Sequence, residues 1–572
     1  MHDFTTPMAM ARVMAMLRLL LWSLAIAGAH AAVPPPLAQR ALQLKTGDLV
    51  QGRVVADASA LPDALDLLDG QGRHLRRLLD SRSLVRGSFA FTAQHSGRYQ
   101  LVLRGEGQAK PAGPGWLELA QVLPRAAQQS LSNVPASPLL ADWLRRPLAA
   151  RRHSDDFWQA VQRRGGTPLV EAADRHSALV TFLWRGTPAT RNVRLFGAPS
   201  GDHDPLLRLP GSDIWYRSYR LPLSTRLSYR LAPDVPELPL PAADPRQRRM
   251  ILATAQRDSR NRRTWNEPDN NAAEAGLLDA WQGSSILELP EAPPQPWVSQ
   301  RPAVPRGSLD RHRLSSAILG NAREVLLYRP AAEAGPASHL LLVFDAQSYV
   351  HRIPTPVILD NLMADGLLPP TAAVILGNGP GDARGRELPP NEDFARFLSE
   401  ELMPWVRAHG IAAPAAQTVV AGSSYGGLAA AWAGLRAPQW FGNVLAQSGS
   451  FWWAPGVRHG REEAIATLAD DHSMPGWLTR RYVGAERLPL RFYLEAGLFE
   501  SDGRGTDILS SSRQLRDVLV ARGYPVAYAE HASGHDDYHW RGSLACGLVL
   551  LIGLAPPPAK ACPMEPVPEV QR

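Results

Sequence analysis

Gly422-Ser423-Ser424-Tyr425-Gly426 is a G-x-S-x-G pentapeptide, entered by the β-branched run Thr418-Val419-Val420 and left by the helix-forming Leu428-Ala429-Ala430-Ala431-Trp432. A strand that reverses into a helix within about two residues strains the residue at the reversal and lifts its side chain above the sheet edge. Ser424 Oγ then stands exposed over a helix N-terminus, placed for nucleophilic attack on an acyl carbon. The flanking Gly422 and Gly426 are expected to let strand and helix pass that closely.

A nucleophilic serine needs a base and an orienting acid, which follow it in this fold in the order nucleophile, acid, histidine. Arg491-Phe492-Tyr493-Leu494 reads as a strand running into the carboxylate-rich Glu495-Ala496-Gly497-Leu498-Phe499-Glu500-Ser501-Asp502. Glu500, a few residues past the strand end, is the first choice of acid and Asp502 the second; Glu495 belongs to the strand and reads as structural. A helix over 510–521 and a strand over 526–530 lead to Ala532-Ser533-Gly534-His535, a histidine in a tight turn, which makes His535 the base. The oxyanion formed on attack needs backbone N–H donors. One is that of Tyr425. The other is expected from Gln347, in the loop after the apolar strand His339-Leu340-Leu341-Leu342-Val343-Phe344-Asp345.

Several further segments resemble the enterochelin esterases: Leu340 to Gln347, Arg386 to Phe394, Val420 to Gly427, Phe441 to Trp453, Gly534-His535-Asp536 with Trp540-Arg541, and upstream Phe182 to Gly186, Gly211 to Trp215 and Leu287 to Pro293. The likeness runs over roughly residues 153 to 555. It implies Ser424 as nucleophile, His535 as base, and hydrolysis of the esters joining catecholoyl-serine units in a siderophore. On that reading Arg386, in the loop after the strand ending at Leu376, contacts the anionic substrate. Trp452 and Trp453, just past the strand that ends at Gln447-Ser448, offer stacking surfaces for catechol rings.

The elements that must carry these residues follow from pattern. Between residues 38 and 125, short alternating runs such as Leu42-Gln43-Leu44 and Tyr99-Gln100-Leu101-Val102-Leu103, separated by turn signals, predict a small β-sandwich. It resembles the pre-peptidase C-terminal type of accessory domain. A connector over 126–152, a second β-sandwich over 153–265, and a Pro-, Ala- and Glu-rich linker over 266–310 are expected next. An α/β-hydrolase domain over 311–556 and a Pro-rich tail over 557–572 complete the chain. At the start, Arg12 and Arg18 precede an apolar run from Leu19 to Gly28, and Ala29-His30-Ala31 has the form a signal peptidase cuts. The expectation is a signal peptide over 1–31, a mature chain from Ala32 in the periplasm, and no membrane insertion after cleavage.

Composition narrows the partners. The formal charge is +7, but the arginines are scattered and no basic, aromatic-interleaved stripe appears, so nucleic acid is not expected. Positive charge suits electrostatic steering of a multiply anionic ferric catecholate. Cys546 and Cys562 exclude a disulfide-built fold and read equally as a bridge or as two thiols. His535 and His539 lie four apart, but without a third ligand they do not make a metal site, and neither metal nor cofactor is expected. The leading reading is therefore an exported serine esterase for catecholate siderophores. A serine esterase for feruloyl or acetyl esters of carbohydrate, and a siderophore-binding protein without catalysis, are the alternatives.

Overall fold

The computed structural model describes residues 36–55, 62–80, 87–105, 116–125, 135–200, 203–236, 245–265, 283–455, 476–501 and 507–564. The expected signal peptide, Asp502 and the end of the tail lie outside them. The chain divides into two units, Met1–Asn133 and Val134–Arg572.

In the first unit, alternation is read out directly: Ser88–Thr92 buries Phe89 and Phe91 and exposes the residues between. That strand joins Leu49–Val54 and Leu117–Leu123 in a three-stranded antiparallel sheet. Ala38–Leu44, Gly97–Gly105, Pro62–Asp69 and His74–Leu79 make a four-stranded one, and both sheets contribute to one core around Val50, Leu65, Phe91 and Leu101.

The second unit opens with helices Pro138–Arg145 and Asp155–Arg163, whose Leu140, Trp143, Phe157, Trp158 and Val161 pack on Leu183, Ile214 and Tyr216. The later part of the expected connector is thus a helix packed against a sheet. Two four-stranded sheets follow, sharing a core that includes Val180, Phe182, Leu195, Tyr229 and Leu287. One of their strands, Ser284–Glu288, lies in the segment expected to be linker throughout; it pairs antiparallel with Arg226–Pro233. Its short apolar run is hidden by the Pro- and Ala-rich composition on either side.

The last part of the chain builds one eight-stranded sheet: β1 (Ser308–Ser316), β2 (Asn321–Arg329), β3 (His339–Phe344), β4 (Thr371–Leu376), β5 (Thr418–Ser423), β6 (Asn443–Gln447), β7 (Arg491–Gly497) and β8 (Val526–His531), in the order β1-β2-β4-β3-β5-β6-β7-β8. β1 and β2 are antiparallel, and the remaining six strands run parallel. Helices cover both faces, so the central strands are apolar on both sides: Leu342 and Val420 face one core, Leu341, Val419 and Ala421 the other. This is an α/β-hydrolase-type sheet, and its carboxyl edge gathers the ends of β3, β5, β6, β7 and β8. Cys546 on the last helix, Asp537–Ile552, is bridged to Cys562, which ties the start of the tail to that helix. Among the described residues no helix is long and apolar enough to cross a membrane.

Candidate active site

Ser424 joins β5 to the helix Tyr425–Arg436 with φ 56° and ψ −122°, a backbone conformation that costs a non-glycine residue about 1–3 kcal/mol. The two flanking glycines differ in what they permit. A Cβ on Gly422 would lie 2.5 Å from the Gly426 carbonyl carbon, so this position must be glycine for strand and helix to pass. A Cβ on Gly426 would meet nothing nearer than Asp345 Oδ2 at 3.4 Å, ordinary contact, and the expectation of steric need there is corrected. Ser424 N–H donates to the Gln447 carbonyl (3.0 Å), and its Oγ lies 3.4 Å from Ser450 Oγ.

At the end of β7 the chain turns so that Glu500 is buried, and its Oε1 is 2.6 Å from Nδ1 of His535. The other carboxylate oxygen accepts from the Gly497 N–H (2.6 Å) and from Ser448 Oγ (2.7 Å). A Cβ on Gly497 would strike the Ser533 carbonyl at 2.3 Å, so glycine there is what lets the histidine loop approach the acid. Ser448, itself at positive φ (48°), accepts from Trp540 Nε1 (3.1 Å), whose ring meets the His535 imidazole edge-on at 4.7 Å. The acid is thus fixed from three sides, while the His535 side chain remains 42% exposed. The structure brings together the two residues expected as acid and base, but sequence reasoning assigned no role to Ser448 or Trp540. Both lie in the quoted motifs, and Ser448, after a strand and before Gly449, carried a turn signal.

Ser424 Oγ and His535 form no hydrogen bond with each other in this structure; such contacts commonly tighten only around substrate. Asp536, next to His535, caps the last helix through the Tyr538 N–H (2.9 Å) and accepts from the backbone N–H and Oγ of Ser228, the latter at 2.8 Å. Burial pushes its carboxyl up to about 6, against the pull of these hydrogen bonds.

Gln347 is exposed in the first turn of the short helix Ala346–His351, where N–H groups have no acceptor within the helix. The preceding Asp345, at φ 60°, is gripped by Arg384 (2.7 and 2.8 Å) and Asn378 (2.8 Å) and lies beside Gly426. Arg384 also stands 5.7 Å from the centre of the Tyr425 ring. This arginine, given no role in the sequence, holds the wall of the elbow. Arg386 is 61% exposed and pairs with Asp382, while the adjacent Glu387 is buried against Arg323 (3.0 Å) and Asn321 (2.8 Å). Trp452 is buried, its ring 6.3 Å from that of Tyr425, and Trp453 is partly buried edge-on to Trp477 at 5.8 Å.

A buried acid holding an imidazole, one sheet-edge loop away from a strained serine, is an arrangement for acyl transfer. Comparison with known proteins gives it a family. A family described as "Enterochelin esterase, N-terminal" matches residues 179–298, and one described as "Putative esterase" matches residues 316–551. The iron(III) enterobactin esterase of Dickeya dadantii is 35% identical over 425 residues, 69% of this chain and 92% of that one. The chain belongs to the enterochelin esterase family. It is a carboxylic ester hydrolase. The iron(III) salmochelin esterase of Escherichia coli is 26% identical, covering 74% of this esterase and all of that relative. Among solved structures, the ferric enterobactin esterase of Salmonella typhimurium matches with a TM-score of 0.55 at 30% identity, over 69% of this chain and 98% of that one. The Shigella flexneri enterobactin esterase in the presence of enterobactin matches at 27% identity and a TM-score of 0.52, over 70% and 98%. Both family matches lie within the second unit of the present esterase.

Proposed function

We propose that this protein is an exported serine esterase that hydrolyses the trilactone ester bonds of a catecholate siderophore, ferric or iron-free, with Ser424, His535 and Glu500 as the catalytic residues. The observation that carries the mechanism is the 2.6 Å contact of His535 Nδ1 with the buried Glu500, which fixes the tautomer that leaves Nε2 free to take a proton. Ser424 Oγ bonds to the ester carbonyl carbon while its proton passes to His535 Nε2. The resulting oxyanion accepts from the N–H groups of Tyr425 and Gln347. Collapse breaks the bond to the serine oxygen of the substrate, which leaves as an alcohol with the proton from His535. Water, deprotonated by the same imidazole, then releases the acid and restores Ser424.

The substrate is supported by relatives named for enterobactin and salmochelin and by a neighbour solved with enterobactin. It is also supported by an exposed Arg386 and the Trp452–Trp453 pair near the same edge, suited to an anionic, ring-bearing ligand. Two β-sandwich domains precede the hydrolase domain in this reading, the first of pre-peptidase type, and the signal peptide over 1–31 places the enzyme in the periplasm. The test is to incubate the mature protein and its Ser424→Ala variant with ferric and iron-free catecholate trilactone and resolve the products by mass. Linear catecholoyl-serine products from the wild type alone are expected. Cleavage of feruloyl or acetyl carbohydrate esters in their place would transfer the activity to that class. N-terminal sequencing of the protein from its host tests export; a soluble cytosolic form beginning at Met1 would refute it.

A further inference from the structure

Beneath the catalytic loops lies a second cluster that the proposed mechanism does not use. Glu495 on β7, His531 at the end of β8 and His539 on the last helix each offer one ligand atom, and these atoms all lie within 4.8 Å of one another. The imidazole rings of His531 and His539 are 4.4 Å apart, and His531 Nε2 stands 3.7 Å from Glu495 Oε2, too far for a hydrogen bond. His539 and Glu495 are buried, and only 9% of the His531 side chain is exposed. The Nε2 atoms of both histidines are buried with no hydrogen-bond partner. A buried polar atom left unpaired loses its hydration with nothing in return, so two of them beside a carboxylate call for something to satisfy them.

The carboxylate is held in place for such a role. Glu495 Oε1 accepts from Ser543 Oγ (2.7 Å) and Gln447 Nε2 (3.2 Å), and Oε2 accepts from Tyr493 Oη (2.7 Å). Carboxylates and histidines so oriented from outside are typical of metal ligands. A small cavity opens on the cluster, lined among others by Arg226, Gln295, His531, His539 and Ser543. Arg226, at the cavity wall, pairs with Glu288 at 2.8 Å, a carboxylate it shares with Arg263. His539, considered in the sequence only beside His535, groups in the fold with His531 and Glu495.

We propose that Glu495, His531 and His539 bind a divalent transition ion of the Zn2+ type, with a water from the cavity in the fourth position. Two imidazoles and one carboxylate suit Zn2+ better than the all-oxygen-preferring Ca2+ or Mg2+. Each ligand sits four or five residues from Glu500 or His535 along the chain, so the ion clamps the segments that carry the acid and base. Its role is to hold those segments, since the cavity on the cluster is lined by neither Ser424, Glu500 nor His535.

The experiment is calorimetric titration of chelator-treated full-length protein with Zn2+, paralleled by Co2+ absorption spectra and thermal melts with and without Zn2+. The wild type is expected to take one tight equivalent, to give the d–d bands of low-symmetry Co2+ with nitrogen ligands, and to melt higher with Zn2+. His531→Gln and His539→Gln should each weaken binding at least about tenfold and abolish the melting shift. Glu495→Gln should weaken it while leaving both histidines. Melts without metal show that the variants are folded. Absence of a tight equivalent in the wild type, or equal affinity in the folded histidine variants, overturns the proposal, the latter assigning the ion to surface histidines.

Discussion

Two carboxylate–imidazole groupings lie a few residues apart on the same strand ends and are built in opposite ways. Glu500 and His535 are in direct hydrogen-bond contact, with the acid buried and the base 42% exposed. Glu495 and His539 are buried and His531 nearly so, and their nearest acid–base approach is 3.7 Å. Residue type does not distinguish them; access and separation do. An imidazole with one nitrogen tied to an acid and the other open to solvent can exchange a proton with a substrate. Two imidazoles whose buried Nε2 atoms have no hydrogen-bond partner can offer both to one cation.

The contrast is broken most sharply at the nucleophile and base. Ser424→Ala and His535→Ala are each expected to lower kcat by about 10⁴–10⁶-fold while leaving Zn2+ affinity unchanged, because residues acting as one unit lose rate together. Steady-state and titration data on the same preparations check both halves. Glu500→Gln should cost less, about 10²–10⁴-fold, since the imidazole loses its orienting charge but remains present. A larger loss in Asp502→Asn would move the acid to that position.

Asp536, adjacent to His535, provides a pH signature in stability. Its folded value, about 6, lies above the unfolded carboxyl value, so its contribution is fully present below the unfolded value and is lost as pH rises through 6. Denaturant titrations should show wild-type stability falling by about 2 kcal/mol between about pH 4 and 6 from this group, after allowance for solvent screening. Asp536→Asn should flatten that window. Ser448→Ala removes one of the two donors to Glu500 Oε2 and leaves Trp540 Nε1 unpaired. A fall of about tenfold in kcat with KM little changed is expected. The smallest effect is at the rim: Arg386→Ala should raise KM a few-fold for a ferric catecholate, less at high salt, and not at all for a neutral aryl ester.

Much of this was legible in the chain because parallel strands buried on both faces write themselves as apolar runs, and the residues just past their ends fall on one edge. Thr418-Val419-Val420 and Leu340-Leu341-Leu342 mark β5 and β3 in this way, and the order of Ser424, Glu500 and His535 then places all three on that edge. What local pattern does not carry is the partner of a side chain. Arg384 and Arg386 are two apart and equally basic, and only the fold reveals that buried Asp345 takes one while the other pairs at the surface with Asp382. Ser284–Glu288 is a strand because Arg226–Pro233 lies open beside it, a fact absent from its own flanks. His539 looked like half of a pair with His535, since helical spacing measures distance along an axis and ignores a histidine arriving from another strand.

The seam around Asp536 has a consequence for modularity. Arg226 N–H donates to the Ala532 carbonyl, Ser228 donates to Asp536, Tyr538 donates to Glu288, and Gln295 donates to the carbonyls of Tyr538 and His539. Every one of these bonds joins the upstream β-rich region to the ten residues around His535. The boundary between the two matched families is therefore a shared inheritance: a hydrolase domain cut free at β1 would leave its histidine loop unmoored, and one half cannot be exchanged for a foreign counterpart without rewriting the other side of the seam.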